Sequence, residues 1–415
     1  MMASVLPPTT KSASAAAAAT NQPSTAAVRK QLTRLIQTAK QRVPFYARHW
    51  STVATPVTSM QFPEQLGELP VVQKSDLLAQ PPGDLLDSSY SDSGLSTETT
   101  SGSGGQPMEI VKDAASSRRR GLRFLRALLS CGYRPGQRLM LISTRRSGGL
   151  MTFARWSYVD LRDEQLLQEY ERLRPDTLYG PLSSLLQICE QARHRTGLHR
   201  PAMVVSTAEQ MMPGQRALIE ATFGCPVADF YGMSEVGVVA FRRPGGMHFE
   251  LASDDLLLEY LPLGDGLSTE RLIVTDLSGG VMPMIRYETG DLVRRNHELA
   301  DQPIQEFVGR RVDSLQLSSG ASISPYRVTL RLEAIEGLRQ YQVVQRKDLS
   351  IDIYFHCEAS NADRLRRELP AALAEMVGTD LPMRCHFQKQ SLHKVAGKFR
   401  PVHSEVGQAV AGPGT

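Results

Sequence analysis

Two short apolar runs, LMLIS (139–143) and AMVVS (202–206), sit among segments whose apolar residues recur at helical spacing. The spacing predicts helices over 118–132, 163–173 and 185–195, with buried strands at the two runs. Strands alternating with helices specify an α/β domain, and the pattern carries it to about residue 310. Upstream, RKQLTRLIQTAKQRVPFYAR (29–48) reads as an amphipathic helix with Leu32, Leu35, Ile36 and Val43 on one face. The Ala/Ser/Thr-rich residues 1–28 before it read as a disordered leader. Within LPVVQKSDLLAQPP (69–82), Ser75 and Asp76 are helix-start signals, and MEIVKD (108–113) is a short strand. A chain of 415 residues is too long for one compact core, so two domains are expected. No internal repeat is visible.

Charge and cysteine content exclude several classes of function. The 47 Lys and Arg against 43 Asp and Glu leave a net charge of +4, too mild for a nucleic-acid partner, and the arginines 118–120 read as a solvated helix face. The five cysteines, Cys131, Cys189, Cys225, Cys357 and Cys385, form no CxxC pair, so neither a zinc site nor a disulfide framework is indicated and a reducing cytoplasm fits. No stretch approaches the roughly 20 apolar residues of a membrane span. The alanines 15–19 are too few for a signal core, which leaves a soluble, cytoplasmic protein with no membrane partner. No acidic residue precedes Glu64, which is also how organelle transit peptides look, but residues 29–48 read better as a folded helix.

The chemistry concentrates in five segments. STETTSGSGGQP (96–107) reads either as a flexible connector or as a loop built to wrap an anion. It is not a Rossmann or Walker loop, because a strand rather than a helix follows it and the lysine of GxxxxGK[ST] is missing. VADFYGMSEVG (227–237) runs as a strand into Tyr231 and Gly232, a glycine that allows a sharp turn, and then presents Ser234 and Glu235 where open α/β sheets bind ligands. A carboxylate there can hold magnesium beside a triphosphate, or Ser234–Glu235 can simply start a helix with an acidic first turn. In MPMIRYETGDLV (282–293), Asp291 suits a strand-edge carboxylate that accepts from two sugar hydroxyls, or it pairs with Arg286 on an ordinary surface hairpin. FVGRRVDSLQLSSGASISP (307–325) places Gly309, Arg310, Asp313 and Gly320 in two short strands of a new unit. HKVAGKFRPV (393–402) brings Lys398 to a loop tip by a glycine turn, where an isolated lysine is otherwise solvated.

In this order, TSGSGGQP, YGMSE, RYETGD, GRRVD and GKFR resemble the motifs of the adenylate-forming superfamily, most closely its phenylacetate:CoA ligase branch with the capsular-polysaccharide-type relatives. VPFYARHW (43–50), LPVVQKSDL (69–77) and YGPLSSLL (179–186) extend the resemblance over nearly all of the chain after residue 28. It implies an α/β fold: a large mixed α/β adenylation domain over 29–311 and a small, mobile α+β lid over 312–415. It also implies ATP-dependent activation of a small carboxylic acid to an acyl-adenylate with release of pyrophosphate, then transfer to a thiol, either coenzyme A or the phosphopantetheine arm of an acyl carrier protein. The Ser/Gly run becomes the phosphate loop, its amides and hydroxyls forming an anion nest.

Residue by residue, the resemblance assigns Thr100, Ser101, Gly102, Ser103, Gly104 and Gly105 to the β- and γ-phosphates, and Glu235 to magnesium. Asp229 and Tyr231 would contact adenine, Ser234 would lie near the α-phosphate, and Asp291 would bind the ribose. Arg310 would hold ribose or phosphate, and Lys398 would bridge the substrate carboxylate and the α-phosphate as two anions are forced together. Asp313 would be the hinge about which the lid turns. Tyr158, Tyr179, Gly180, Ser206 and Ala208 are assigned to the acyl pocket wall, with an aromatic or heteroaromatic acid preferred over a fatty acid. Relatives commonly read TSGSTGKP where this chain has Gly105 and Gln106, so one hydroxyl and one positive charge are lost beside the polyphosphate and weaker ATP binding is expected. The stretch between Pro107 and Tyr179 is short, and Val312 replaces a common acidic residue. A non-catalytic nucleotide- or adenylate-binding subunit, an amine or hydroxyl acceptor, and a homodimer all remain open at this point.

Overall fold

Thr25 opens the first long helix, its hydroxyl accepting from the Val28 amide, and α1 (Ala26–Arg42) buries Val28, Leu32, Leu35, Ile36 and Ala39. In the computed structural model the described residues are 19–20, 25–91, 93–100, 107–143, 155–160, 165–263, 268–299, 303–389, 392 and 400–406. Ahead of α1 lies a two-residue strand, β1 (Ala19–Thr20). Pro44 starts α2 (Pro44–His49), breaking the single helix expected over 29–48 into two, since proline suits a helix's first turn and not its interior. Tyr46 of α2 donates to the Pro283 carbonyl and accepts from the Ile285 amide, both at 3.0 Å, tying this layer to distant sequence. In α3 (Lys74–Leu78) the start signal is Asp76, whose carboxylate accepts from the Gln73 amide at 2.8 Å.

A hairpin of β2 (Ser96–Thr99) and β3 (Glu109–Lys112) encloses the Ser/Gly run, with Thr99 opposite Glu109 and a Lys112–Glu98 ion pair across it. Next come α4 (Ala114–Ser130), β4 (Leu139–Ser143), β5 (Trp156–Asp160), α5 (Leu166–Leu173), β6 (Thr177–Pro181), α6 (Leu182–Ala192), β7 (Met203–Thr207), α7 (Pro213–Phe223) and β8 (Val227–Met233). The five strands β4 to β8 are parallel neighbours, as strand–helix–strand crossovers require. Helix α4 packs Phe124, Ala127 and Leu128 on one face of this sheet. Helices α5 to α7 cover the other with Leu166, Leu185, Ile219 and Phe223.

The α/β alternation ends at β8, not near residue 310. After it, β9 (Gly237–Arg242) turns back antiparallel and β10 (Glu250–Leu251) completes a seven-stranded sheet. Then β11 (Leu256–Pro262), β12 (Thr269–Asp276), β13 (Tyr287–Arg295) and β14 (Ile304–Arg310) form an antiparallel sheet with β1 on its edge. No helix-period segment separates these strands, so hairpins join them. Their buried charges are mutually paired: Arg286 with Glu259 at 2.9 Å and Arg295 with Glu270 at 2.7 Å. One face of the sheet shares an apolar core with α1 and α2.

From Leu315 onward the chain builds its own core, which Met212 of the large layer joins. The elements are β15 (Leu315–Gln316), β16 (Ser322–Ile323), α8 (Pro325–Glu333), β17 (Leu338–Gln345), β18 (Ile351–Cys357), α9 (Ala362–Val377), β19 (Met383–Phe387) and β20 (Val402–Ser404). The last four strands form one sheet in the order β19-β18-β17-β20. Among the described residues no helix is long and apolar enough to cross a membrane.

Candidate active site

Strand β8 carries Tyr231 to the carboxyl end of the parallel sheet, where residues 234–236 turn back into β9. No helix starts at Ser234. Nor does Gly232 make the turn: a Cβ there would lie 2.8 Å from the Gly237 carbonyl oxygen, so its role is close strand approach, and Gly237, at φ +85°, reverses the chain. The turn is clamped from α4. Arg120 donates through Nη1 to the Ser234 carbonyl at 2.8 Å and through Nη2 to that of Glu235. Arg123 donates to the Val236 carbonyl at 2.8 Å and pairs with both Asp255 and Asp276. Burial lowers the Arg120 guanidinium to about 10, so it still carries its charge at neutral pH. The arginine run is therefore not a wholly solvated face: Arg118 is exposed, while Arg120 turns inward.

Glu235 is 8% exposed, and its Oε1 accepts from the Tyr287 hydroxyl at 2.9 Å. Burial, reinforced by the Glu235 charge, pushes the Tyr287 hydroxyl far above the usual tyrosine range, so it remains a donor. Asp291 lies opposite Arg310 in the β13–β14 register. Its Oδ1 faces Arg310 Nε at 3.1 Å, and its Oδ2 accepts from the Tyr231 hydroxyl at 2.7 Å. The Tyr231 ring stacks on Phe307 with centroids 3.9 Å apart. Asp291 in turn holds the Arg310 guanidinium above its ordinary range. The surface Arg286–Asp291 pair is not formed, because Arg286 is buried against Glu259 and the carbonyls of Gly67 and Leu69.

Thr100, where the Ser/Gly run leaves the hairpin, is buried; its Oγ1 accepts from the Met108 amide at 2.9 Å and from Lys74 Nζ at 3.2 Å. Burial lowers the Lys74 ammonium, and Glu235 and Arg310 are both near enough to act on it, one raising and one lowering it. Glu235, Asp291, Arg310, Tyr231 and Thr100, scattered in sequence, thus converge at the end of β8. Among the described residues no three His, Cys, Asp or Glu side chains gather as a metal cluster. A lone carboxylate such as Glu235 is enough for magnesium only where substrate oxygens complete the shell, since that ion takes one or two carboxylates together with phosphates.

No family model matches the chain. It is 24% identical over 361 residues to a phenylacetate-coenzyme A ligase of Thermus thermophilus, spanning 78% of each chain. It is 23% identical over 246 residues to the CapK protein of Staphylococcus aureus, 56% of this chain and 54% of that one. Its fold superposes with a TM-score of 0.71 on 2-hydroxyisobutyryl-CoA ligase in the postadenylation state in complex with R3-HIB-AMP, at 17% identity, over 91% of this chain and 88% of the other. In sequence the chain is similar to a phenylacetate-coenzyme A ligase and to CapK, and its fold is that of an acyl-CoA ligase.

Set against the adenylate-forming pattern, the other expected residues are distributed unevenly. Asp229 is held by Arg242 at 3.0 Å, with Arg216 at 4.0 Å, and burial raises its carboxyl against both arginines. Asp313 is buried in the turn after β14, where Oδ1 lies 2.8 Å from Arg400 Nη1 and 2.9 Å from His403 Nδ1. The five pocket residues do not share one wall. Tyr158 and Tyr179 pack on the α4 face beside Phe124 and Phe230. Gly180 and Ser206, cross-strand partners, alternate to the opposite face, where a Cβ on Gly180 would meet Ile142 at 3.0 Å. Ala208 is exposed at φ +70°, a strained conformation at the end of β7. Ser101, Gly102, Ser103, Gly104, Gly105 and Lys398 lie outside the described residues. Lys74, Arg120, Arg123, Tyr287 and Phe307 were not anticipated. Tyr287 stood inside a recognised motif, whereas the target of Arg120 carries no local signal.

Proposed function

We propose that the protein condenses a carboxylic acid with the α-phosphate of ATP, releasing pyrophosphate, and then passes the acyl group to a thiol. A carboxylate alone is a poor acyl donor, because oxide would have to leave; as a mixed anhydride with AMP it has a good leaving group. The observation that carries the reading is the convergence of Glu235 and Asp291, each anchored by a tyrosine hydroxyl, at the mouth of the hairpin that encloses the Ser/Gly run. Asp291 would take the ribose hydroxyls on lone pairs left over from Arg310 and Tyr231. Glu235, its Oε1 engaged by Tyr287, would hold magnesium, which would supply positive charge beside the phosphates of ATP. Ser234 would lie near the α-phosphate, and Lys398 would screen the approach of the two anions.

For the acid we favour an aromatic or heteroaromatic ring laid against the face carrying Tyr158 and Tyr179. For the acceptor we favour coenzyme A, the thiol in the name of the Thermus thermophilus relative, with a carrier-protein phosphopantetheine as the other thiol. The test is ATP–pyrophosphate isotope exchange over a panel of aromatic and aliphatic acids with magnesium, comparing the native chain with Lys398→Ala. Exchange with one acid class, abolished in the variant, is expected. ATP binding without exchange on any acid would instead mark a non-catalytic nucleotide-binding protein.

A further inference from the structure

Asp229 and Tyr231 stand two apart on β8, so they point to one face of the sheet, where Ser206 of β7 is the cross-strand neighbour of Asp229. The Tyr231 hydroxyl is held by Asp291, and Phe307 covers one face of its ring. Phe249 packs edge-on against Phe307 with centroids 4.9 Å apart, and the Arg242 guanidinium lies 4.9 Å over the Phe249 ring. Among the described residues no second ring covers the other face of Tyr231, which is half-buried. Beside it β7 ends at the exposed Ala208, whose φ of +70° is a strain that an alanine carries only where its surroundings impose it. Arg242 also reaches back to Asp229: its Nη2 lies 3.0 Å from Oδ2, with Arg216 Nη2 4.0 Å from the same oxygen. Both arginines thus engage one oxygen, and Oδ1 has no partner among the described residues. An ionised carboxylate can only accept, so a free Oδ1 takes an N–H and turns away a carbonyl.

We propose that Arg242 determines base specificity: by holding Oδ2 it presents the ionised Oδ1 of Asp229 to the amino group of a 6-amino purine nucleotide, and the site rejects the 6-oxo counterpart. The proposal rests on the ATP-dependent reading above, in which a ribose on Asp291 carries its base along Tyr231. The charged groups facing Asp229 are Arg242 from β9 and Arg216 from α7, the latter also 3.8 Å from Glu220, while β7 offers the neutral Ser206. Burial raises the Asp229 carboxyl and Arg242 opposes that rise. Without Arg242 the neutral carboxyl gains, and it donates to a 6-oxo group as readily as it accepts from an amino group. If Arg242 only braced β9 against β8, its loss would weaken every nucleotide alike. As a positioning residue for Asp229 it changes their ratio and makes that ratio depend on pH.

The experiment is calorimetric titration of magnesium-ATP and of magnesium-inosine triphosphate into the native chain, Arg242→Met, Arg242→Lys and Asp229→Asn, each at pH 6 and pH 8. The native chain is expected to prefer ATP by about tenfold to a hundredfold at both values, as a site built to accept an N–H does. In Arg242→Met the preference is expected to fall to within about threefold at pH 6 and to recover in part at pH 8, and Arg242→Lys, which keeps the charge, is expected to restore it. Asp229→Asn keeps the shape but presents a donor as well as an acceptor, so it is expected to lose the preference at both values. That variant carries the test if Arg242→Met does not fold. Equal binding of the two nucleotides by the native chain, a preference kept in Arg242→Met or in Asp229→Asn, or an equal loss of both nucleotides in a folded Arg242→Met would each overturn the assignment. A native chain that binds neither nucleotide removes the ATP-dependent reading itself.

Discussion

Asp291 receives a cation on one carboxylate oxygen and a neutral hydroxyl on the other, from Arg310 and Tyr231 respectively. Both donors fix its plane, leaving a lone pair on each oxygen for a diol. Asp291→Asn is therefore expected to raise the KM for ATP by about tenfold to a hundredfold, and to erase the preference for ATP over 2′-deoxy-ATP, with little change in the KM for the acid. Pyrophosphate exchange with the two nucleotides measures this, and an unchanged preference would remove Asp291 from the ribose. Tyr287→Phe deletes one hydrogen bond to Glu235 without creating a cavity. It is expected to raise the magnesium concentration for half-maximal exchange by about tenfold while leaving the unfolding midpoint near the native one. Glu235 stood out because it follows a strand pattern that runs into Tyr231 and Gly232, and Asp291 because it follows Gly290 and precedes an apolar pair. Their orienting partners did not, since the Tyr287 hydroxyl finds its acceptor 52 residues away and nothing local marks that contact.

At the scale of elements, α4 is both a core helix and the clamp of the 234–236 turn. Arg123 is 2% exposed and answers two carboxylates and a carbonyl. Removing it leaves Asp276 buried and unpaired, so Arg123→Ala is expected to lower stability by about 3–5 kcal/mol, read from denaturant midpoints at constant slope. Restoration in Arg123→Ala with Asp276→Asn, even in part, would assign the loss to the stranded charge. Strands β4, β7 and β8 and helices α4 to α6 of the parallel layer were legible because their apolar spacing is undiluted, whereas β5, β6 and α7 were not foreseen. Helix α6 begins three residues before its expected start, at Leu182 after Pro181, and Glu209 from beyond the next strand accepts from the Ser183 amide of its first turn at 3.0 Å. The antiparallel sheet was misread for another reason. Its strands carry Glu259, Glu270 and Arg295 inside, Glu259 paired with Arg286 just ahead of β13 and Glu270 with Arg295, so charges interrupt the apolar runs of buried strands.

At the scale of the whole molecule, the segment from Leu315 onward meets the antiparallel sheet where α8 packs on β14: a Cβ at Gly309, φ +116°, would lie 2.8 Å from Pro325 Cβ. At the other end of α8, partial desolvation and then the charge of Glu306 raise the Glu333 carboxyl from 4.5 to about 7, although the residue as a whole stays exposed and solvent screens the effect. Glu306 belongs to β14 and pairs with Arg294 at 3.1 Å, while the Tyr341 hydroxyl feels both carboxylates. A carboxyl whose affinity for protons is raised in this arrangement binds more protons than when released. Its favourable contribution is thus fully present below about 4.5 and is lost as pH rises through about 7. The contact of α8 with β14 is accordingly expected to weaken across that window, with Arg294 moderating the effect by neutralising Glu306. Glu333→Gln keeps the shape and removes the titration. The native chain should lose thermal stability between pH 5 and pH 8 by an increment that Glu333→Gln lacks, and the variant should be the more stable of the two at pH 8. Parallel pH profiles for the two chains would show that the carboxyl is equally solvated in both states.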